Sequence, residues 1–267
     1  DDLFGKALLK TPQADGVDVS RVLVRRDVTS GVGHVTLEVT EHTAQNRIVV
    51  IPGANRTLTV EEVSWIQQEI ATYDMVLLQL EIPLEVNRAV ARWARDAGVP
   101  VMLNPAPATD LDDELLSLVT YLTPNEQEAA METGLPLNME NGVICPEDLA
   151  RIAAALRDKG VEHVIITLGS NGSAVVEADG IRRIPCVKMS HVADPTAAGD
   201  SFVGALSVGL TIGLSLENAL AFASHTAAIT VSRMGAMPSL PTLEEVLALM
   251  RERNYQGFDF SLLDVLK

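Results

Sequence analysis

The segment Asp194-Pro195-Thr196-Ala197-Ala198-Gly199-Asp200-Ser201-Phe202 sets small residues directly ahead of an acid that opens an apolar helical pattern. Phe202, Leu206 and Leu210 recur at helical spacing with Val203 beside them, so a helix is expected from Gly199. The first turn of a helix carries unpaired N–H groups and about half a positive charge. Ala197, Ala198 and Gly199 put almost no side chain between that backbone and an incoming anion. Asp200 then stands beside a bound anion, an awkward place for a carboxylate unless it takes up a proton. A base that accepts a hydroxyl proton during phosphoryl transfer fits this position. The plainer alternative is a first-turn acid complementing the helix dipole, but that role has no need of Ala-Ala-Gly.

Other polar residues fall where a β–α fold would gather them. Gln79 and Glu81 close one apolar run, Asn104 the next, and Asn125 and Glu128 follow Tyr121-Leu122. Thr167, Gly169 and Ser170 end another run, and Asp194 and Asp200 follow a hairpin. In an open α/β sheet, ligands bind at the carboxyl ends of the strands. Each of these residues also has a structural explanation. Asn125 with Glu128 reads as a capping box, and Asn171-Gly172 as a plain turn. Glu81 is a charge at a strand end, which favours a ligand. The phosphate loops G-x-x-x-x-G-K-[ST] and G-x-G-x-x-G are absent from the sequence.

The elements that must position these residues alternate. Thr59 and Glu62 form a capping box opening a helix to about residue 72. Strands are expected at 75–80, 99–103, 121–122 and 164–168, and helices at 84–97, from Asp112, after Asn125 and at 150–159. Residues 172–178 and 181–187 suggest a hairpin around Asp179-Gly180. Helices from Gly199, Leu216 and Thr242 finish the chain. This alternation implies a mainly parallel sheet covered on both faces. Residues 21–26, 32–39 and 48–51 are strand-like and are expected to form a small projecting sheet.

With 267 residues and 47% of them hydrophobic, the chain can bury a sizeable core. A net charge of −16 argues against nucleic acid or an anionic membrane as partner. Cys145 and Cys186 lie in no metal-type spacing, which implies a reducing cytoplasm. No apolar run is long enough to span a membrane.

Taken together, these motifs resemble the ribokinase group of the PfkB carbohydrate kinase family. The resemblance is carried by the Asp194–Phe202 segment, Pro52-Gly53-Ala54-Asn55, Gln79-Leu80-Glu81, Leu103-Asn104-Pro105-Ala106-Pro107-Ala108 and Thr123-Pro124-Asn125-Glu126. Ile165-Ile166-Thr167-Leu168-Gly169-Ser170 and Gly235-Ala236-Met237-Pro238-Ser239 extend it over essentially the whole chain. It implies a three-layer αβα sandwich, with residues 1–267 as one domain and a small β lid within about 16–53. It implies transfer of phosphate from ATP to D-ribose, giving ribose 5-phosphate, with Mg²⁺ and an activating K⁺.

Under this resemblance Asp200 is the base, and the backbone of Ala197, Ala198 and Gly199 is the anion hole. Glu81 contacts sugar, and Asn125 and Glu128 work near the phosphates and magnesium. Thr167, Leu168, Gly169, Ser170, Asn171 and Gly172 line the nucleotide, with Ser224 near the base. Asp194, Thr196, Thr230, Arg233, Gly235 and Ser239 match a monovalent-cation site, mostly through main-chain oxygens. Pairing of two copies through the lid is implied as well.

The sequence departs from the family pattern in two ways. Pro195 stands where Thr is usual. The family's Asp-bearing first strand and its Gly-Gly-Lys-Gly-Ala-Asn-type loop do not occur in these residues. The chain is therefore expected to start after them, leaving part of the sugar site outside it and some sheet uncovered. A PfkB kinase for another sugar or a nucleoside, and a non-catalytic nucleotide-binding product, are the alternatives.

Overall fold

The computed structural model describes residues 1–39, 44–140, 143–177 and 180–266. After a helix at Leu3–Ala14, strands β1 (Val32–Val39) and β2 (Ala44–Ile51) form a separate antiparallel ribbon. The main sheet contains β3 (Val76–Leu78), β4 (Val101–Leu103) and β5 (Tyr121–Leu122). A short hairpin, β6 (Met139–Glu140) and β7 (Val143–Ile144), intervenes. The chain then returns to the main sheet with β8 (His163–Thr167), β9 (Ser173–Glu177) and β10 (Gly180–Ile184).

The strand order is β10-β9-β8-β5-β4-β3. Strands β3, β4, β5 and β8 are parallel, and β9 and β10 are antiparallel additions at one edge. The expected hairpin is thus present, while Ala178 and Asp179 of its turn lie outside the described residues.

Alternation along these strands makes the sandwich. Val101 and Leu103 enter one buried cluster, with Val164, Ile166, Ala174 and Val176. Met102, Ile165 and Val175 point the other way, into a second cluster. The first cluster is closed by the helices Leu84–Asp96 and Pro146–Asp158. The second is closed by Ala198–Thr211, Leu216–Val231 and Leu243–Glu252. Helices Ala198–Thr211 and Leu216–Val231 meet at Gly209, where a Cβ would lie 3.0 Å from the Cβ of Ala219. Among the described residues no helix is long and apolar enough to cross a membrane.

Two sequence expectations are corrected. Thr59 and Glu62 do form the capping box, but the helix breaks into Val60–Val63, Ile66–Glu69 and a final turn. The Ser64 hydroxyl donates to the Glu61 carbonyl at 2.7 Å, a local bond that competes with helix continuation. Residues 21–26 form no strand. There the Arg25 guanidinium grips both oxygens of Glu62, at 2.6 Å each, and also donates to the Thr57 carbonyl. Side-chain pairing takes the place of a backbone ladder.

Candidate active site

Asp200 sits in the first turn of Ala198–Thr211, whose start is shaped by Ala197. Ala197 adopts φ 62°, ψ 7°, a left-handed conformation that a residue with a Cβ rarely holds. Such strain persists where the surroundings enforce it, often at functional sites. The Ala198 N–H turns back to the Pro195 carbonyl at 3.2 Å. Among the described residues, the Gly199 N–H has no acceptor. Among the described residues, the open donors of the helix start are therefore the N–H groups of Ala197, Gly199 and Asp200, while Ala198 is engaged locally.

Beside this turn opens a cleft of about 190 Å³. Gly199, Asp200 and Val203 form one wall. Asn104 and Ala106 come from the segment after β4, and Thr123 and Asn125 from the segment after β5. Thr167 at the end of β8 and Glu128 on the Glu126–Thr133 helix complete it. All of the strand-derived groups lie at carboxyl ends, the place where an open parallel sheet collects ligand contacts.

The capping box expected at Asn125 is formed. Asn125 Oδ1 accepts the N–H groups of Gln127 and Glu128, each at 2.9 Å, and Glu128 Oε2 accepts the Asn125 N–H at 2.8 Å. That role does not remove the pair from the cleft, since both residues line it. Thr167 is held by its N–H, which donates to the Pro124 carbonyl at 2.9 Å.

The electrostatics of the cleft are lopsided. Asp200 opens to solvent on one side, yet the protein mass around it desolvates the carboxylate and raises its pKa. Glu128 is raised chiefly by burial and also by the charges of Asp200 and Glu126, with the Asn125 N–H pulling the other way. Glu126 is raised by burial. No Lys, Arg or His is found among the residues lining the cleft.

A second cluster lies behind the turn. Asp194, only 3% exposed, accepts the Thr196 N–H at 2.9 Å on Oδ1 and the Gly235 N–H at 2.9 Å on Oδ2. Burial pushes its pKa up, but these bonds and one to the Thr196 side chain outweigh burial and hold it below the usual range. Among the described residues Asp194 has no salt-bridge partner. The carbonyl of Val231 takes the N–H groups of Ala193 and Asp194, at 2.8 and 3.2 Å, so the chain around Thr230 and Arg233 lies against this turn. Ser239, fully buried, is tied to the Ala236 carbonyl by its N–H and hydroxyl.

The remaining candidates stand apart from the cleft wall. Leu168 is a core residue, 1% exposed. Gly169, Ser170 and Asn171 form a single 3₁₀ turn closed by Gly172. Ser224 is buried in Leu216–Val231, and its hydroxyl donates to the Leu220 carbonyl at 2.8 Å. Glu81 is exposed beyond β3 and does not line the cleft. Ala106, Thr123 and Val203 line the cleft without having been singled out for a role; their place just past strand ends, or one helical turn beyond Asp200, was the available signal. Among the described residues no three His, Cys, Asp or Glu side chains form a metal cluster.

Comparison with known proteins gives this arrangement a context. The family model described as pfkB family carbohydrate kinase matches residues 1–243. A ribokinase of Schizosaccharomyces pombe is 38% identical over 247 residues, covering 92% of this chain and 76% of the relative. The crystal structure of a Thermotoga maritima ribokinase superposes with a TM-score of 0.78 at 31% identity, covering 94% of this chain and 78% of that one. The Arabidopsis thaliana ribokinase, solved with ribose and ATP, gives a TM-score of 0.70 at 32% identity over 82% of this chain and 69% of its own.

Proposed function

The chain belongs to the pfkB family of carbohydrate kinases, and from that premise we propose that it transfers the γ-phosphoryl group of ATP to the primary hydroxyl of D-ribose. The observation that carries this reading is the pairing of Asp200, a carboxylate with a raised pKa, with the open Gly199 N–H beside it. A general base works best when its pKa approaches the working pH. Asp200 takes the hydroxyl proton as the new P–O bond forms, and Gly199 with its helix start stabilises the charge on the moving phosphoryl group.

The cleft is negative, so phosphates need a counter-charge that its side chains do not supply. Mg²⁺ typically sits on one or two carboxylates plus substrate phosphates and waters, which suits Glu128 without a preformed metal cluster. Bound there, it would neutralise phosphate charge. The buried, ionised and unpaired Asp194 favours a nearby cation. In this reading the main-chain oxygens of Thr196, Thr230, Arg233, Gly235 and Ser239 complete a K⁺ site. Ala197 belongs to the anion hole through its backbone, the 169–172 turn and Ser224 to the nucleotide side, and Glu81 to the sugar side. Residues 1–267 act as one domain, with about 16–53 as lid, in a cytoplasm that keeps Cys145 and Cys186 reduced.

In an assay of ADP release, D-ribose is expected to be the preferred acceptor among pentoses and nucleosides, with dependence on both Mg²⁺ and K⁺. A nucleoside turned over faster than ribose, or no ribose-dependent ADP, would overturn the proposal. The ribbon exposes Ile48, Val49, Val50 and Ile51, and in this reading such strands pair two copies. Light scattering at micromolar concentration should then give twice 28.6 kDa; a monomer mass would refute the pairing.

A further inference from the structure

The β1–β2 ribbon touches the catalytic turn through a side chain with no part in the reaction described above. Asn46 lies on β2 opposite Leu37. Its Nδ2 donates to the Thr196 hydroxyl oxygen at 3.2 Å, joining residues 150 positions apart. Among the described residues, this is the hydrogen bond that crosses from the two ribbon strands to the main body.

Its far end is already committed. The Thr196 N–H bonds the Asp194 carboxylate at 2.9 Å, and that carboxylate also holds the Gly235 N–H. Pro195 on one side has a fixed φ, and Ala197 on the other is left-handed. A pull on Thr196 therefore has little slack to absorb it before it reaches Ala197, Gly199 and Asp200. The amide donor on the ribbon, the side chain and backbone of Thr196, the buried carboxylate and the helix start form one continuous linkage.

We propose that Asn46 is a positioning residue, whose amide ties the ribbon to the 194–200 turn so that the ribbon's placement sets the orientation of Gly199 and Asp200. The kinetic part of this rests on the sugar-kinase reading; the mechanical part does not. A donor is required rather than mere polarity. An ionised aspartate at this position would have no donor to offer the Thr196 hydroxyl oxygen.

Hydrogen exchange of the substrate-free protein tests the tie. Asn46→Ala is expected to speed exchange of the hydrogen-bonded amides of Thr196 and Ala198 by about 3- to 10-fold, the worth of one ordinary hydrogen bond. Asn46→Gln should restore part of the protection, and Asn46→Ala should add nothing in a Thr196→Val background. Acceleration confined to residues 32–51, or full additivity with Thr196→Val, overturns the proposal. In turnover, Asn46→Ala should lower kcat for ribose by about 3- to 10-fold, with KM for ATP unchanged and partial recovery in Asn46→Gln. An unchanged kcat would refute the positioning role. Exchange needs no substrate, so a chain inactive on ribose would sink the proposed function while exchange still decides the tie.

Discussion

Asp200→Asn is expected to lower ribose phosphorylation by about 10²- to 10⁴-fold, the usual worth of a positioned general base. The amide keeps the shape of the carboxylate but cannot take a proton, so ATP affinity should change little. Near-normal turnover would refute the assignment of the base. The parent enzyme should lose kcat/KM on acidification, with a midpoint above the ordinary carboxylate range because burial raises Asp200; this limb should vanish in the variant. Stability should move the opposite way. Folded Asp200 holds its proton to higher pH than the unfolded chain does. The fold therefore gains stability as pH falls through that window and loses it as pH rises. Near neutrality the charged carboxylate works against folding, so Asp200→Asn should melt no lower than the parent. Lost turnover with retained melting separates removal of a base from damage to the fold.

Gly172→Ala is expected to cost about 3 kcal/mol of stability, a melting-temperature loss of about 6–12 °C for a chain of this size. Gly172 closes the 169–172 turn at φ 85°, ψ −128°, a region essentially reserved for glycine. A Cβ there would lie 2.0 Å from the Ile184 carbonyl oxygen and 2.7 Å from the Cys186 nitrogen, both backbone atoms. The clash cannot be relieved by a rotamer change; either the turn or the end of β10 must move. Under the proposed assignment of this turn to the nucleotide, ATP affinity should fall with stability. A variant that matches the parent in scanning calorimetry and in ATP titration would show that the turn has more freedom than this geometry allows.

The sheet was legible because its parallel strands are short, continuous apolar runs. Val101, Met102 and Leu103 already specify two buried faces. The helix at Gly199 was legible for a similar local reason, and so were the capping boxes at Thr59, Asn125 and Thr242. One failure depended on a partner distant in sequence, the other on a local side-chain bond. Residues 21–26 have strand-like composition, but a single Arg25–Glu62 pair draws them elsewhere. The Thr59 box marks where a helix begins and says nothing about Ser64 ending it. Asp200 and the Asn125–Glu128 pair could be gathered by topology, since each follows a parallel strand or opens a helix. The Asn46–Thr196 contact could not, because neither residue carries a local pattern that announces the other.

The close approach at Gly209 gives the Ala198–Thr211 helix a fulcrum. Gly209 lies nine residues beyond Asp200, about 13 Å along the axis at 1.5 Å per residue. The neighbouring helix meets it there at van der Waals range, with no layer of soft side chains between. Tilting the helix by only about 4° about that point would carry Asp200 through about 1 Å, a displacement that can cost about a hundredfold in rate. In the proposed reaction, the tolerance on proton transfer at Asp200 is thus fixed in part by the missing side chain of a residue outside the cleft.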